Sequence, residues 1–281
     1  MTTSDTQTVA IIGCGYVGRA VGIALRARGW RVRATTTSAE RLAALAADGF
    51  EPHQLVGSDR TALAALLADC SAAYLTLAPQ RGGPSYRDVY QATAEALVDV
   101  LGETPVQRLI YTSSTSVYAQ CDGAWVDETS PTEPATENSR VLLETEHLLL
   151  TALPPAVDVS VVRLGGIYGP GRRLADFATR FAGRQRDDGD AFLNLAHLDD
   201  IVVGLVGLLD TEHHGVLNLS GDQPTTRRAV YDPLLRRLEL PPVQWTSPAH
   251  PNLGKRVRSQ RIQQLLELHW QHPTYDPEGE A

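Results

Sequence analysis

The sequence predicts an α/β fold, with a doubly wound parallel sheet followed by a small C-terminal α+β lobe. Short apolar segments with strand character alternate with helical segments up to Thr112. A glycine-rich turn follows the first of these segments, and after Arg163 the regular alternation stops. Strands joined by helices are typical of a parallel sheet with helices on both faces.

Hydrophobic patterning places the elements of the first half. Residues 9–12 form a short apolar run that ends at a glycine, which favours a buried strand. Residues 16–28 place apolar side chains on one helical face, and Gly29 ends that helix. The same reasoning predicts strands at 31–36, 53–56, 72–77, 107–112 and 157–163, and helices at 38–47, 61–68, 85–101 and 138–153.

The second half is less regular. Residues 122–136 are acidic and contain prolines, which predicts a long loop, and 165–171 predict a glycine-rich loop. Short strands are predicted near Phe192 and Val216, and helices at 199–208 and 226–238. Prolines in the final forty residues predict that this segment wraps loosely over the rest of the protein. The predicted domains are 1–163 and 164–281, with parts of the second returning to the sheet.

Composition excludes several classes of protein. The chain has 281 residues and a formal net charge of −8, so it lacks the concentrated basic face that a nucleic-acid partner needs. No apolar run reaches the roughly 20 residues that span a bilayer, and the start does not resemble a signal peptide. We expect a cytoplasmic protein with no membrane partner.

Cysteine and histidine spacing predicts no disulfide framework and no metal site. The three cysteines, Cys14, Cys70 and Cys121, are far apart in sequence, which favours a reducing compartment. The adjacent pair His213 and His214 is more typical of solvated loop residues than of metal ligands.

A dinucleotide signature lies directly after the first predicted strand. Residues 13–18 read G-x-G-x-x-G, with Tyr16 and Val17 between the second and third glycines. In a Rossmann fold, Gly13 permits the tight turn, Gly15 admits the pyrophosphate and Gly18 lets helix and strand pack closely. The helix N-terminus attracts the phosphates. A purely structural glycine turn is the alternative.

The end of the second strand bears on cofactor preference. NAD-binding proteins usually carry an acidic residue there for the ribose 2′-hydroxyl. This chain instead has Thr36, Thr37 and Ser38, with Arg33 and Arg41 nearby, which favours the 2′-phosphate of NADP over NAD. The alternative is that the threonines favour the strand and Ser38 only caps a helix. At the ends of later strands, Ala78, Pro79 and Ser113 are further candidate cofactor contacts.

Four later stretches, 109–118, 163–171, 194–200 and 254–257, resemble the extended and atypical short-chain dehydrogenase/reductase family, in its epimerase/dehydratase branch. The most specific is Arg163 followed by Tyr168-Gly169-Pro170-Gly171, similar to a loop that the family holds near the nicotinamide. The resemblance implies that Tyr168 contacts the cofactor. It also implies that the H-x-D-D segment from His197 fixes a loop against a helix, with an acid–base role as the alternative.

The family's catalytic Tyr-x-x-x-Lys pair is absent. Alignment places Asn138 at the tyrosine position and Leu142 at the lysine position, and no tyrosine or lysine occurs between residues 119 and 162. The resemblance therefore leaves Ser114, which matches the family's catalytic serine, and Tyr118 as the candidate catalytic residues. Capping or structural roles are their alternatives.

Tyr86, Lys255 and Arg256 are candidate substrate contacts, with a solvated surface pair as the alternative for the last two. Two functions remain open. One is an NAD(P)-dependent oxidoreductase or epimerase/dehydratase acting on a small substrate, such as a sugar nucleotide or carbonyl compound. The other is a catalytically inactive NADP-binding sensor or partner-binding protein. A hydroxyacid dehydrogenase would leave the Tyr168 loop unexplained. We expect a monomer or homodimer.

Overall fold

The computed structural model describes residues 7–79 and 82–277 as two compact units. The first unit comprises the residues up to Ser114 together with Pro134–Val162 and Val202–Val216. The second comprises Thr115–Glu133, Arg163–Ile201 and the residues from Leu217 onward. Both units are therefore built from separated stretches of chain.

The strands, in chain order, are β1 (Thr8–Ile12), β2 (Arg31–Thr36), β3 (Glu51–Gln54), β4 (Ala72–Leu75), β5 (Arg108–Ser114), β6 (Asp122–Val126), β7 (Asp158–Leu164), β8 (Gly166–Tyr168), β9 (Gln185–Arg186), β10 (Phe192–Leu193), β11 (Leu195–His197), β12 (Gly215–Leu219), β13 (Thr225–Thr226), β14 (Gln244–Trp245) and β15 (Gly254–Val257). The helices are α1 (Tyr16–Ala27), α2 (Leu42–Ala47), α3 (Arg60–Leu67), α4 (Ala92–Leu101), α5 (Glu137–Ala152), α6 (Leu174–Ala178), α7 (Leu198–Gly207), α8 (Arg227–Arg237) and α9 (Gln260–Leu266). Within the described ranges, no helix is long and apolar enough to cross a membrane.

The main sheet confirms the predicted fold class. Its seven strands have the order β12-β7-β5-β4-β1-β2-β3. Strand β1 pairs in parallel with β2 and β4, so that Ile11 lies opposite Ala34 on one side and Tyr74 on the other. All five residues of β1 are buried, which explains the apolar run from Val9 to Ile12. The chain reverses its direction of winding beside β1, where α/β proteins bind ligands.

The second unit is built from short ladders around its own apolar core. Strands β6 and β15, β8 and β11, and β9 and β14 pair in parallel, and β10 and β13 pair antiparallel. Helices α6 and α8 supply much of the core. Its buried members are Tyr168, Leu174, Ala175, Ala178, Val230, Tyr231, Leu234, Leu235, Val243 and Tyr275.

Three predictions about irregular segments are wrong. Residues 122–136 contain β6, and the final forty residues contain β15 and α9 instead of wrapping loosely. Strand β15 pairs with β6 in a register that places Arg256 opposite Trp125. Since these strands are more than a hundred residues apart in sequence, neither stretch carries a local signal that the other stabilises it. The predicted glycine loop at 165–171 likewise contains β8.

Candidate functional site

A cavity of about 310 Å³ lies within the first unit, beyond the carboxyl ends of β1, β2 and β4. The glycine turn forms one wall, and the end of β2 forms another. The lining residues are Ile12, Gly13, Cys14, Gly15, Thr35, Thr36, Thr37, Arg41, Leu55, Val56, Gly57, Ser58, Thr76, Leu77, Ala78, Pro79, Pro84, Asp88, Val89 and Thr93.

Side chains from two neighbouring strands fix the glycine turn. Gly13 adopts φ 86°, a conformation that favours glycine, and its N–H donates to Thr35 Oγ1 over 2.9 Å. Thr76 Oγ1 donates to the Gly13 carbonyl over 2.9 Å, and the Cys14 N–H donates to the Thr35 carbonyl over 2.9 Å. Burial raises the pKa of Cys14 to about 12, so its thiol stays neutral. Hydrogen bonds with Thr35 and Thr76 therefore fix the conformation of the turn.

The other two glycines of the motif have opposite surroundings. Among the described residues, apart from its two neighbours in the chain, a Cβ built on Gly15 would approach one atom within 4 Å, the Gly13 carbonyl oxygen at 3.9 Å. A Cβ on Gly18 would lie 2.4 Å from Thr76 Oγ1 and 2.9 Å from Ile11 Cγ2. Gly15 thus keeps the space in front of the turn open, while Gly18 lets α1 pack against the sheet.

Helix α1 presents its N-terminus at this turn. Its N-cap is Gly15, no side chain caps it within the described chain, and its first turn contains no acidic residue. Backbone N–H groups at a helix start carry partial positive charge and attract anions. The turn and α1 together therefore form an anion site at the cavity wall.

The two arginines near the end of β2 differ in their surroundings. Arg33 points away from the cavity, because its guanidinium pairs with Asp69 and Glu51 and donates to the Leu66 carbonyl over 2.7 Å. Arg41 lines the cavity and donates to the Cys14 carbonyl over 2.8 Å. Among the described residues, no carboxylate pairs with Arg41. The expectation that Arg33 faces the cofactor site is therefore wrong, and Arg41 is the arginine among the residues that line the cavity.

The cavity brings together about half of the candidate cofactor residues. Those on its wall are Gly13, Gly15, Thr36, Thr37, Arg41, Ala78 and Pro79. The candidates Tyr16, Val17, Gly18, Ser38 and Ser113 are not among its lining residues, and Tyr168 belongs to the second unit. The sequence analysis did not predict that residues 55–58 line the cavity. It placed the third strand at 53–56, two residues later than β3, so residues 55 and 56 were assigned to the strand instead of to the loop that follows it.

The serines at the end of β5 differ in burial. Ser113 is buried, and its Oγ donates to Glu146 Oε1 over 2.5 Å. Ser114, the candidate catalytic serine, is half-buried as the last residue of β5. Glu146 lies one helical turn after Leu142, the position aligned with the missing lysine. The carboxylate on α5 therefore reaches Ser113, the neighbour of the candidate catalytic residue.

Tyr118 lies in a buried polar network of the second unit. Its side chain is 2% exposed, its hydroxyl donates to Asn218 Oδ1 over 2.9 Å, and it accepts from Arg163 Nη1 over 2.9 Å. Burial raises the pKa of Tyr118, although the Arg163 guanidinium opposes that shift. The phenol thus both donates and accepts a hydrogen bond within the protein. A proton-donor role for Tyr118 stays a prediction and requires this network to open.

Replacing Tyr118 with phenylalanine separates these roles. The variant would leave buried groups of Arg163 and Asn218 without this partner, so we expect the free energy of unfolding to fall by about 1–3 kcal/mol. Urea denaturation measures the effect. A variant that keeps its stability and loses catalytic turnover would instead identify Tyr118 as a proton donor.

The candidate substrate residues lie in both units. Lys255, the only lysine of the chain, donates from Nζ to the Tyr118 carbonyl over 2.7 Å, and burial lowers its pKa. Arg256 donates to the Gly123 carbonyl over 2.7 Å and stacks on Trp125. Tyr86, in the first unit, packs against Tyr90 with ring centroids 5.3 Å apart. Arg256 therefore has partners in the protein, while Lys255 is a half-buried ammonium without a carboxylate partner among the described residues.

The sheet order, the glycine turn and the cavity define a Rossmann-type nucleotide-binding architecture. The sequence model of the NAD dependent epimerase/dehydratase family matches residues 9–220, which is well over half of the chain. The chain belongs to that family, as the sequence motifs predicted.

Relatives agree with this assignment. Protein YeeZ of Escherichia coli (strain K12) is 34% identical over 273 residues, which cover 95% of this chain and 97% of YeeZ. A functionally unknown conserved protein from Silicibacter pomeroyi DSS is 27% identical, with a TM-score of 0.78 over 98% of this chain and 96% of its own. A double mutant of DesIV, a dTDP-glucose 4,6-dehydratase from Streptomyces venezuelae with NAD and DAU bound, shares the fold at 18% identity, with a TM-score of 0.78 over 95% and 92% of the two chains.

Proposed function

We propose that this protein binds a nicotinamide dinucleotide in the cavity of the first unit, with NADP preferred over NAD. On this basis it is an NAD(P)-dependent oxidoreductase or epimerase/dehydratase that acts on a small sugar-nucleotide or carbonyl substrate. The observation that carries the proposal is the uncapped start of α1, which faces open space at Gly15. Membership of an NAD dependent family supports the same cofactor class.

Arg41 supports the preference for NADP. It is a cation on the cavity wall without a carboxylate partner among the described residues, and it lies beside Thr36 and Thr37. No acidic residue ends β2 to accept the ribose 2′-hydroxyl. A guanidinium with hydroxyl groups around it binds a phosphate by charge-assisted hydrogen bonds.

We expect Arg41→Ala to weaken NADPH binding about 10–100-fold, the loss that follows removal of one charge-assisted hydrogen bond of about 1.5–3 kcal/mol. NADH binding should change little, because NADH lacks the 2′-phosphate. Fluorescence titration of the reduced cofactors measures both affinities.

Arg60→Ala is the matched control for this experiment. Arg60 is exposed and pairs with Asp99 outside the cavity, so its loss should leave both affinities unchanged. An equal loss of NADPH and NADH affinity in Arg41→Ala would contradict the assignment of the 2′-phosphate to Arg41.

Proton transfer in this protein needs a donor other than the family's tyrosine. When bound, a nicotinamide cofactor would supply or accept hydride, while the protein would orient the substrate and move a proton. Ser114 is the candidate nearest to the Glu146–Ser113 pair, and Tyr118 is the buried alternative. Lys255 supplies positive charge for an anionic part of the substrate, because its ammonium has no carboxylate partner among the described residues.

Turnover tests the enzymatic part of the proposal. Purified protein with NADPH is offered a panel of sugar nucleotides and small carbonyl compounds, and oxidation of NADPH is followed at the absorbance of the reduced cofactor. Because an epimerase returns its hydride to the substrate, product analysis accompanies the absorbance. The proposal expects turnover of at least one compound, and loss of that turnover in Ser114→Ala.

The missing tyrosine and lysine favour one alternative, a dinucleotide-binding protein without catalysis. It shares the cavity and the expected NADPH affinity, so binding alone does not distinguish the two. Tight NADPH binding without turnover of the whole panel would favour this second function.

A further inference from the structure

Two histidines and an aspartate meet in the second unit, outside the cavity described above. His197 ends β11, Asp199 lies in the first turn of α7, and His272 belongs to the segment after α9. Asp199 Oδ2 lies 3.4 Å from His197 Nδ1 and 3.4 Å from His272 Nε2. The candidate ligand atoms of the three side chains all lie within 4.8 Å of one another.

The backbone holds these residues in place. Asp200 accepts from the N–H of Gln271 over 2.8 Å and from the N–H of His272 over 3.0 Å, which ties the C-terminal segment to the start of α7. The Tyr168 ring packs edge-on against His197, with centroids 5.0 Å apart. His272 is more than seventy positions from Asp199 in sequence. The hydrogen bonds that bring the two segments together do not use the side chains of His197, Asp199 or His272.

The chemistry of the three side chains suits a divalent transition metal. Imidazole nitrogen and carboxylate oxygen are common zinc ligands at about 2.0–2.1 Å, and two such ligands around a tetrahedral ion lie about 3.3 Å apart. Both separations from Asp199 Oδ2 come close to that spacing.

We propose that His197, Asp199 and His272 form a binding site for a divalent transition-metal ion, with Zn²⁺ as the preferred ion and water at the fourth position. Binding requires two local changes. The His272 ring, now stacked on His197 at 3.6 Å, turns so that its nitrogen faces the ion, and its half-exposed side chain permits that rotation. His197 Nδ1 exchanges the hydrogen bond from the Asp199 N–H for the metal.

The bound ion would join the C-terminal segment to the start of α7 through side chains as well as backbone. Tyr275, three residues after His272, is buried in the core of the second unit. We therefore expect metal binding to stabilise the packing of this segment and to raise the unfolding temperature, because the ion binds the folded chain more tightly than the unfolded one.

The test uses the full-length protein without an affinity tag, treated with a chelator and dialysed. Calorimetric titration with Zn²⁺ should give one ion per chain, and titration with Co²⁺ should give the visible absorption of a tetrahedral site. We expect His272→Ala and Asp199→Asn each to lower the zinc affinity at least about 10–100-fold, the loss that removing even an outer-shell partner produces.

His269→Ala is the matched control, since His269 is an exposed histidine of the same segment that is not part of the cluster. It should bind zinc as the wild type does. Thermal unfolding adds a second measurement: zinc should raise the unfolding temperature of the wild type and of His269→Ala but not of His272→Ala. If His272→Ala fails to fold, Asp199→Asn decides the question. The absence of one-to-one binding, or binding that both cluster variants retain, would overturn the proposal.

Discussion

Gly15→Val is expected to leave the chain folded and to weaken NADPH and NADH binding about 100-fold or more. The new side chain would enter open space, because within the described part of the chain, adjacent residues aside, the nearest atom to a Cβ at this position is a carbonyl oxygen at 3.9 Å. That space is where the pyrophosphate approaches the backbone in a Rossmann turn. Fluorescence titration measures the affinity, and circular dichroism with urea denaturation shows whether the fold and its stability are kept.

A Gly15→Val variant that binds both cofactors normally would remove the glycine turn from the site and contradict the proposed function. Loss of binding together with loss of the fold would instead show that Gly15 acts in packing. The same substitution three residues later provides the comparison.

Gly18→Val is expected to lower the free energy of unfolding by about 3 kcal/mol, the upper part of the usual range for overpacking. Its Cβ would lie 2.4 Å from Thr76 Oγ1 and 2.9 Å from Ile11 Cγ2, so α1 has to move away from the sheet. The shift would also disturb the bond from Thr76 to the Gly13 carbonyl. Urea denaturation measures this loss.

Stability equal to that of the wild type in Gly18→Val would show that the helix adjusts without cost, against the packing role. The two valine variants thus assign different functions to glycines of one motif, since one should lose affinity with its stability intact and the other should lose stability first.

Local sequence carried enough information to predict the first five strands of the sheet and that the sheet is parallel. Residues 9–12 of β1 are apolar because both faces of that strand are covered, and the glycines after it mark the turn into α1. The second unit was predicted less well. Strand β6 lies in an acidic, proline-containing stretch and owes its conformation to β15, which is distant in sequence. Patterns within one segment do not reveal such pairings.

The candidate site, like the fold, was predicted only in part from the sequence. The glycine turn, the threonines after β2 and Arg41 follow from motif and position. The role of Thr35 does not follow from the motif. Its hydroxyl accepts a hydrogen bond from the Gly13 N–H, and that contact depends on how β1 and β2 align. Arg33 looked equivalent to Arg41 in sequence, but it lies three residues before the end of β2, and its guanidinium pairs with Asp69. The cluster around His272 combines segments that no spacing rule connects.

Lys255 offers amine-reactive reagents a single side chain in this protein. Apart from the α-amino group, its Nζ is the only primary amine among 281 residues, since the other side chains of this basic class are arginines. Burial lowers its pKa, which increases the fraction present as the nucleophilic free amine near neutral pH. We therefore expect a lysine-directed acylating reagent to modify one side chain of this protein, beside the Tyr118 backbone, and to leave the residues around the cavity of the first unit unmodified.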